Sequence, residues 1–499
     1  SSHDRVSATT LRGGLRPSRM SDCWCGVSGA DDVLSTTFDI VKPAGAGTPQ
    51  SPAEIVPISR VEAQMFSMTP LACASFPAIA LRLPAADPAL LKSSLAIALG
   101  RHRVMAGRLR GEVAELSDEG APFTIAENSR PSAPTRLREA DLLRLADFRR
   151  APRVAAGLEP PMTVRLTRFR DGSAVLTFCR SHVVMDGSSA WAFLGDWARA
   201  ARGEPLVAGR ADGLEDGVPD REELEVLWEG RFGEPLSTHG AWLKMKALKS
   251  VFAVAAPLYD FCFLSGATGD LERPRLSLSD DDLAAIKAAA TPSTPGSWVS
   301  TQEALAAYLV HTVGRACLPA SSRGRVAITL ILDPRKALGR RPEETFGSGL
   351  VFLTWKFEGL LQMSLRDVAG KLHDAAQSEL SLKEAGRTWR IMNGCFRAGA
   401  ELAMITKMIP RQTKHDLILV LNNQSKRELP DFGAASGGRA DAVVTNAGPT
   451  VVLPVPSGGV DVLLDPSTVL RPARSARDRA EALAALRAAV PLGGRAGGC

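Results

Sequence analysis

The side chains with the clearest potential for chemistry lie in the segment Ser181–Gly187, which has the pattern H-x-x-x-D-G. His182 follows a hydrophobic run that predicts a strand, so its side chain can leave the sheet and reach a cleft. An imidazole with a pKa near neutral suits the removal of a proton from a weak nucleophile. Asp186 can orient the imidazole or anchor the loop through a salt bridge, and Gly187 permits a tight turn into the next helix. By spacing alone, a structural histidine beside a surface carboxylate is the more common explanation.

The sequence lacks the motifs of several other chemistries. It has no phosphate-binding glycine loop, no G-x-S-x-G nucleophile elbow and no H-E-x-x-H zinc motif. Cys23 and Cys25 form the one close cysteine pair, without a second pair at zinc-finger spacing. We therefore expect neither a bound metal nor a bound cofactor.

Composition excludes several classes of protein. The chain has 499 residues, of which 45% are hydrophobic and 23% charged, as in ordinary globular domains. The formal net charge of +6 comes from arginine-rich ends, so no basic stripe favours nucleic-acid binding. The eight cysteines are sparse, which favours reduced thiols in the cytoplasm, and no apolar run is long enough to predict a transmembrane helix.

The elements that must position His182 form a hairpin followed by a helix. Met162–Leu166 alternates as a half-buried strand, Asp171-Gly172 predicts a turn, and Ala174–Cys179 predicts the second strand. Ser188 can cap a helix that reaches about Arg202. The other predicted elements are helices opening at Asp87-Pro88 and covering Asp280–Ala290, Ser300–Cys317 and Leu365–Glu384, and strands Val326–Leu332, Leu350–Phe357, Leu417–Leu421, Val451–Val455 and Val460–Leu464.

This mixture of strands and helices in both halves favours two α/β domains with mixed sheets. We expect a tail at 1–40, a first domain at 41–203, a crossover at 204–271, a second domain at 272–470, and a helix and tail at 471–499. The first 20 residues have the composition of a transit segment, but we favour a disordered tail, or sequence upstream of a true start at Met20, because no cleavage signature is visible. Within the crossover, Trp242–Phe252 predicts a basic amphipathic helix that packs on its own protein or lies on a membrane surface.

Several segments, in order, resemble the BAHD family of acyltransferases. Ser181–Gly187 matches its HxxxDG motif, and the resemblance extends from about Ile55 to Leu464. The other matching segments are Leu90–Leu99, Met105–Leu109, Trp197-Ala198, Arg202-Gly203, Ser300-Thr301 with Glu303 and Leu305, Asp333-Pro334-Arg335, Phe346-Gly347-Ser348 and Asp431-Phe432-Gly433. The resemblance implies two chloramphenicol-acetyltransferase-like domains, with mixed β-sheets flanked by helices and an active-site channel between the domains.

The resemblance also implies a reaction and a set of roles. The protein would be a monomer that moves an acyl group, other than an amino-acyl group, from acyl-coenzyme A to a small hydroxyl or amine acceptor. His182 would be the general base, without a covalent acyl-enzyme, and Asp186 would pair structurally with Arg335. Ser300 and Thr301 are candidates for binding coenzyme A.

Two departures from the family pattern concern the second half. Asp431, Phe432 and Gly433 would line the channel, but the tryptophan that follows in the family is replaced by Ala434. The family's Ser/Thr-Ser-Trp element is replaced by Asn422-Asn423-Gln424. Asn422 or Asn423 could donate a hydrogen bond to an oxyanion, or could simply close a turn at the end of a strand.

Two other functions are compatible with the sequence. Peptide-synthetase condensation domains carry the same motif on the same fold, but they usually have a doubled histidine where this chain has Ser181. The altered Asp431 region also allows a non-catalytic binding protein on an acyltransferase scaffold.

Overall fold

The structure is a computed structural model of the chain. It describes residues 32–45, 54–57, 77–110, 113–149, 153–154, 156–207, 218–236, 274–293, 296–318, 322–340, 345–347, 349, 351–379, 382–398, 400, 416–446 and 450–464. The predicted helix at Trp242–Phe252 and the two chain ends, apart from residues 32–40, lie outside these described residues.

The described residues form fifteen strands and eight α-helices. The strands are β1 (Val33–Val41), β2 (Glu54–Pro57), β3 (Ala78–Leu83), β4 (Arg108–Arg110), β5 (Val113–Leu116), β6 (Ala121–Asn128), β7 (Met162–Arg168), β8 (Ala174–Arg180), β9 (Arg275–Leu278), β10 (Val326–Leu332), β11 (Val351–Phe357), β12 (Leu417–Asn423), β13 (Ala442–Thr445), β14 (Thr450–Pro454) and β15 (Val460–Leu463). The helices are α1 (Pro88–Arg101), α2 (Glu139–Leu145), α3 (Gly187–Ala201), α4 (Arg221–Phe232), α5 (Asp280–Ala290), α6 (Thr301–Cys317), α7 (Leu365–Glu379) and α8 (Leu382–Ala398).

The first sheet has the strand order β1-β6-β7-β8-β3-β13 and is mixed, because β6 and β7 run parallel and the other neighbours antiparallel. The predicted hairpin is confirmed as β7 and β8, which pair from Met162↔Arg180 to Arg168↔Ala174. Every residue of β8 is buried, so the strand that leads to His182 runs through the interior of the molecule.

Two helices cover one face of this sheet. Asp87 caps α1 by accepting from the N–H groups of Ala89 and Leu90, and the predicted apolar face of α1 is buried as expected. Trp197 of α3 donates its indole N–H to the Leu91 carbonyl at 3.0 Å, which ties the two helices together. The position and direction of α3 are thereby fixed against the sheet.

The second sheet has the order β11-β10-β12-β14-β15-β9, with β10, β12 and β14 parallel. The predictions for Asp280–Ala290 and Val326–Leu332 are confirmed to the residue, and both predicted strands of the closing hairpin are present. The single helix predicted at Leu365–Glu384 is wrong, because α7 ends at Glu379 and α8 begins at Leu382. The stretch predicted to be irregular contains α4, whose N-terminus Asp220 caps.

The first sheet takes strands from both ends of the described chain. Residues 33–40, predicted to be part of a tail, form most of edge strand β1, whose alternating Leu34, Phe38 and Ile40 are exposed. Strand β13 falls within the predicted second domain but pairs with β3 of the first sheet. The two sheets are therefore not formed by two consecutive stretches of chain.

Among the described residues, no helix is both long and apolar enough to cross a membrane.

The segment that leads into β13 is anchored by a buried aromatic ring. Phe432 is fully buried and meets Trp197 edge to face, with 5.3 Å between ring centroids. We predict that Phe432→Ala lowers the free energy of unfolding by about 3–5 kcal/mol, because a large cavity opens against α3. The matched change Phe38→Ala, at a side chain that is 57% exposed, should alter stability by less than about 0.5 kcal/mol. Denaturant unfolding measures both, and equal losses would refute this view of the packing.

Candidate active site

His182 lies in the turn that connects the end of β8 to the start of α3. Within the turn, the N–H of Val184 donates to the Ser181 carbonyl and the N–H of Val183 donates to the Ser181 hydroxyl, each at 3.3 Å. The N–H of Ser181 donates a 2.6 Å hydrogen bond to the carbonyl of Pro161, the residue that precedes the neighbouring strand β7. The His182 side chain is partly exposed, whereas its neighbours in the turn are buried.

The environment of His182 favours a neutral imidazole. Burial, together with the nearby positive charge of Arg180, lowers the pKa of His182 to about 3. Although part of the side-chain surface is accessible, the surrounding protein leaves the ring largely desolvated, and desolvation disfavours the charged imidazolium. At physiological pH the ring is therefore neutral and can accept a proton.

Asp186 joins the turn to a loop from the second half of the chain. One carboxylate oxygen, Oδ1, accepts from the N–H of Ser189 at 2.7 Å, so Asp186 and not Ser188 caps α3. The other, Oδ2, accepts from the N–H of Gly349 at 3.0 Å and lies 2.9 Å from Nη1 of Arg335. The Asp186 side chain is almost completely buried, and both of its oxygens are occupied.

Arg335 is the buried cation at the point where the start of α3 meets the residues that follow β10, a contact that we call the junction. Its guanidinium is fully buried and donates to the Thr345 and Gly347 carbonyls and to the Ser189 hydroxyl, each at 3.0 Å. Burial would lower the pKa of Arg335, but the carboxylates of Asp186 and Asp333, each 2.9 Å away, outweigh it and raise the pKa. The guanidinium thus stays charged and holds the end of β10 against the start of α3.

The structure brings the end of β12 to the same junction. A Cβ added to Gly187 would lie 3.0 Å from Nε2 of Gln424, so the side chain of Gln424 comes close to the start of α3. Nη2 of Arg427 donates to the Ser188 hydroxyl at 2.6 Å. The sequence alone does not predict the contacts of Gln424, Arg427 and the bridging hydroxyl of Ser189. A serine three residues after Asp186 is the pattern of a capped helix, but nothing in the sequence indicates the contacts across to β12.

Asn422 and Asn423 lie at this end of β12 and differ in what their side chains do. Asn423 accepts from the N–H of Ser425 at 2.9 Å and so closes the turn after the strand. Oδ1 of Asn422 accepts from Nε2 of Gln424 at 2.5 Å, which places the Asn422 carboxamide beside the side chain that touches Gly187. A role for either residue in contacting a substrate stays a prediction.

Asp431, Phe432 and Gly433 do not lie at the junction. The Asp431 carbonyl accepts from Arg202, which follows the C-terminal end of α3, and Phe432 packs on Trp197 of that helix. Because α3 rises about 1.5 Å per residue over its 15 residues, this loop is about 20 Å from Asp186 along the helix. A role for Asp431, Phe432 and Gly433 in lining the channel stays a prediction. Gly433 has φ +59, which explains the need for glycine in this loop.

Ser300 and Thr301 begin α6. The Ser300 hydroxyl accepts from the N–H of Glu303 at 3.2 Å, and the Glu303 carboxylate accepts from the N–H of Ser300 at 2.7 Å. This is the predicted capping box, and it uses the Ser300 side chain for helix initiation. Thr301 is exposed. A role for either residue in binding coenzyme A stays a prediction.

Comparison with known proteins is consistent with this arrangement. Residues 39–211 match the model of the Transferase family. The chain is 29% identical over 361 residues to putrescine hydroxycinnamoyltransferase 3 of Oryza sativa subsp. japonica, covering 69% of this chain and 75% of that protein. It is 30% identical over 194 residues to agmatine coumaroyltransferase-1 of Hordeum vulgare, covering 37% of this chain and 41% of that one.

A solved structure supports the assignment at the level of fold. The crystal structure of vinorine synthase superimposes with a TM-score of 0.55 at 16% sequence identity, covering 86% of this chain and 94% of that one. The chain is thus similar in sequence to hydroxycinnamoyl- and coumaroyltransferases and in fold to vinorine synthase. In this chain, the segment that carries H-x-x-x-D-G is held between the two sheets by a buried ion pair. Among the described residues, no group of three or more histidine, cysteine or acidic side chains is arranged to hold a metal ion.

The buried ion pair leads to a prediction about stability. Asp186→Asn keeps an oxygen that can cap α3 but removes the charge, and Arg335→Ala leaves two carboxylates without their cation. We predict that each single change lowers the free energy of unfolding by about 3–5 kcal/mol. In a double-mutant cycle, the two changes should be non-additive by about 1–3 kcal/mol.

A more exposed ion pair provides the control. Arg325 lies 2.7 Å from Asp416, but its side chain is 37% exposed. Arg325→Ala should therefore lower stability by less than about 1 kcal/mol. Additive effects at Asp186 and Arg335, measured by denaturant unfolding, would contradict the proposed coupling.

Proposed function

We propose that this protein is a BAHD acyltransferase that moves an acyl group from acyl-coenzyme A to an amine or hydroxyl acceptor, with His182 as the general base. The main support is the neutral His182 imidazole, partly exposed in a turn whose far end is fixed by Asp186 and Arg335. Coenzyme A is a co-substrate in this proposal, and no bound cofactor or metal is required.

The reaction is a direct transfer within a complex of both substrates. The acceptor nitrogen or oxygen attacks the thioester carbonyl, and His182 takes its proton as the new bond forms. Even a base with a low pKa can take this proton, because the attacking atom becomes strongly acidic once it carries positive charge. The tetrahedral intermediate then collapses, the C–S bond breaks, and the coenzyme A thiolate takes the proton from His182.

The remaining residues of the junction have supporting roles in this proposal. Asp186 and Arg335 are positioning residues, because their hydrogen bonds end on backbone and side chains of the protein. The Asn422 carboxamide can donate to the oxyanion of the tetrahedral intermediate, since it lies on the strand end that meets Gly187.

The names of the similar proteins suggest which acceptors to test first. Putrescine and agmatine, which appear in the names of the two relatives, are amines. Amide formation is therefore our first proposal for the reaction product, and ester formation the second. We further propose that the enzyme is a cytoplasmic monomer, since one chain supplies both Asp186 and Arg335, and since Cys179 and Cys395 are buried free thiols.

The general-base proposal predicts a specific loss of turnover. His182→Ala should fold normally and reduce coenzyme A release by roughly 10²–10⁴-fold, because the transferred proton loses its acceptor. Release of free thiol, measured with a panel of acyl-coenzyme A donors and pooled amines and alcohols, provides the assay. His311→Gln is the matched control, since His311 contacts the Met363 carbonyl in the second half, and it should retain turnover. Unchanged turnover in folded His182→Ala would refute the mechanism, and no turnover by the wild type would indicate a binding protein.

The low pKa of His182 also predicts the pH profile. A free histidine loses its ability to accept a proton below about pH 6.5, whereas a pKa near 3 keeps this imidazole neutral well below that pH. We predict that kcat/KM for a hydroxyl acceptor, whose own charge does not change, stays level from pH 8 to pH 5. A fall with a midpoint near pH 6.5 would show that His182 titrates normally.

A further inference from the structure

A second buried cation lies beside His182, and unlike Arg335 it lacks a matching set of acceptors. Arg180 is the last residue of β8, and only 1% of its surface is exposed. Its Nε and Nη1 groups are buried and have no hydrogen-bond partner in the structure, and within the described residues Arg180 forms no ion pair. The guanidinium instead lies over the Phe178 ring, with Cζ 5.9 Å from the ring centroid.

The nearest carboxylate does not satisfy this charge. Asp186 contributes to the electrostatics of Arg180, but its two oxygens are already used by Ser189, Gly349 and Arg335. Burial lowers the pKa of Arg180 to about 10, so the guanidinium is still protonated at physiological pH. A buried charge without a partner is strongly unfavourable, and its presence in a native structure needs an explanation.

The position of Arg180 suggests what that explanation is. Arg180 precedes His182 by two residues, so their Cα atoms are no more than about 7 Å apart. Because side chains two apart on a strand share a face, Arg180 lies on the same side as Phe178, which stacks on Phe193 of α3. An anion bound to Arg180 would therefore lie close to the base and beneath the start of α3.

We propose that Arg180 binds a carboxylate group of a substrate whose reacting atom lies at His182. This inference rests on the proposed transfer reaction and adds a substrate class to it. A single guanidinium balances one negative charge, so a carboxylate fits better than a doubly charged phosphate, which would remain half unneutralised in a buried site. The carboxylate belongs either to the acceptor, as in an α-amino acid, or to the acyl group, as in a malonyl thioester.

Binding of a carboxylate would also assist the reaction. The positive charge of Arg180 is one cause of the low pKa of His182. A bound carboxylate neutralises that charge, so the imidazole becomes a stronger base when the correct substrate is in place. The same positive charge would repel the second ammonium group of a diamine, which separates this acceptor class from the diamine in the name of the rice relative.

The test uses the full chain and two matched pairs of probes. Malonyl- and propionyl-coenzyme A differ in the acyl carboxylate, and tyrosine and tyramine differ in the acceptor carboxylate. Dissociation constants are measured by calorimetry, the acceptors with coenzyme A present, and transfer is then assayed by thiol release. In at least one pair, the wild type should bind the carboxylated member about ten- to a hundred-fold more tightly.

Three variants separate the charge of Arg180 from its packing. Arg180→Met, which keeps most of the side-chain length, should abolish the preference, and Arg180→Lys should restore part of it. Arg165→Met on the neighbouring strand is the matched control, because Arg165 is paired with Asp147 at 3.1 Å, and it should retain the full preference. The pair in which the preference is lost identifies the acceptor or the acyl group as the source of the carboxylate.

Stability gives a readout that does not depend on turnover. If the function of Arg180 is to bind a ligand, its unpaired buried charge is unfavourable in the ligand-free protein. Removing that charge should therefore leave the Tm of ligand-free Arg180→Met equal to or above that of the wild type. A Tm lowered by more than about 5 °C would show that Arg180 has a structural role and would overturn the proposal. Binding ratios that are the same in wild type and Arg180→Met for both pairs would also overturn it. Preferential binding without any transfer would support the carboxylate site and refute the proposed acyl transfer.

Discussion

The ion pair between Asp186 and Arg335 is the interaction on which the arrangement of the candidate site depends. Both groups are buried, and neither would be tolerated without the other, because an unpaired charge in the interior is strongly destabilising. Asp186 comes with the start of α3, and Arg335 comes with the end of β10. The ion pair therefore holds the two sheets together at this point. It also fixes the position of the turn that carries His182, because that turn leads directly into Asp186 and α3.

The same burial acts differently on the charged groups around the junction. It disfavours a proton on His182 and so leaves the imidazole neutral and able to accept one. It does not discharge Arg335, because two carboxylates and two carbonyls surround that side chain. Arg180 is the intermediate case: it remains charged, but its partner is absent from the chain's described residues. The neutral state of His182, the charged state of Arg335 in its ion pair with Asp186, and the unpaired charge of Arg180 are thus three consequences of the same buried environment.

The sequence predicts local structure well where a single segment determines it. Ser279 with its acidic first turn defines the helix Asp280–Ala290, and the Asp171-Gly172 turn defines the hairpin that leads to His182. Contacts between distant segments are not encoded in this way. Strand β13 is short, and nothing within it indicates that it pairs with β3, about 360 residues earlier in the chain. The position of the Asp431 segment at the far end of α3 depends on the contact between Phe432 and Trp197, which lie far apart in the sequence.

The state of the His182 imidazole is the most direct test of this account, and histidine-selective NMR measures it. The chain has seven histidines, and the spectrum of His182→Gln identifies the resonances that belong to His182. In a titration of the ligand-free protein from pH 8 to pH 5, the account predicts that these resonances keep the chemical shifts of a neutral ring, whereas an unperturbed imidazole titrates near pH 6.5. Titration of His182 itself near pH 6.5 would contradict the claim that burial in this junction prepares it as a base.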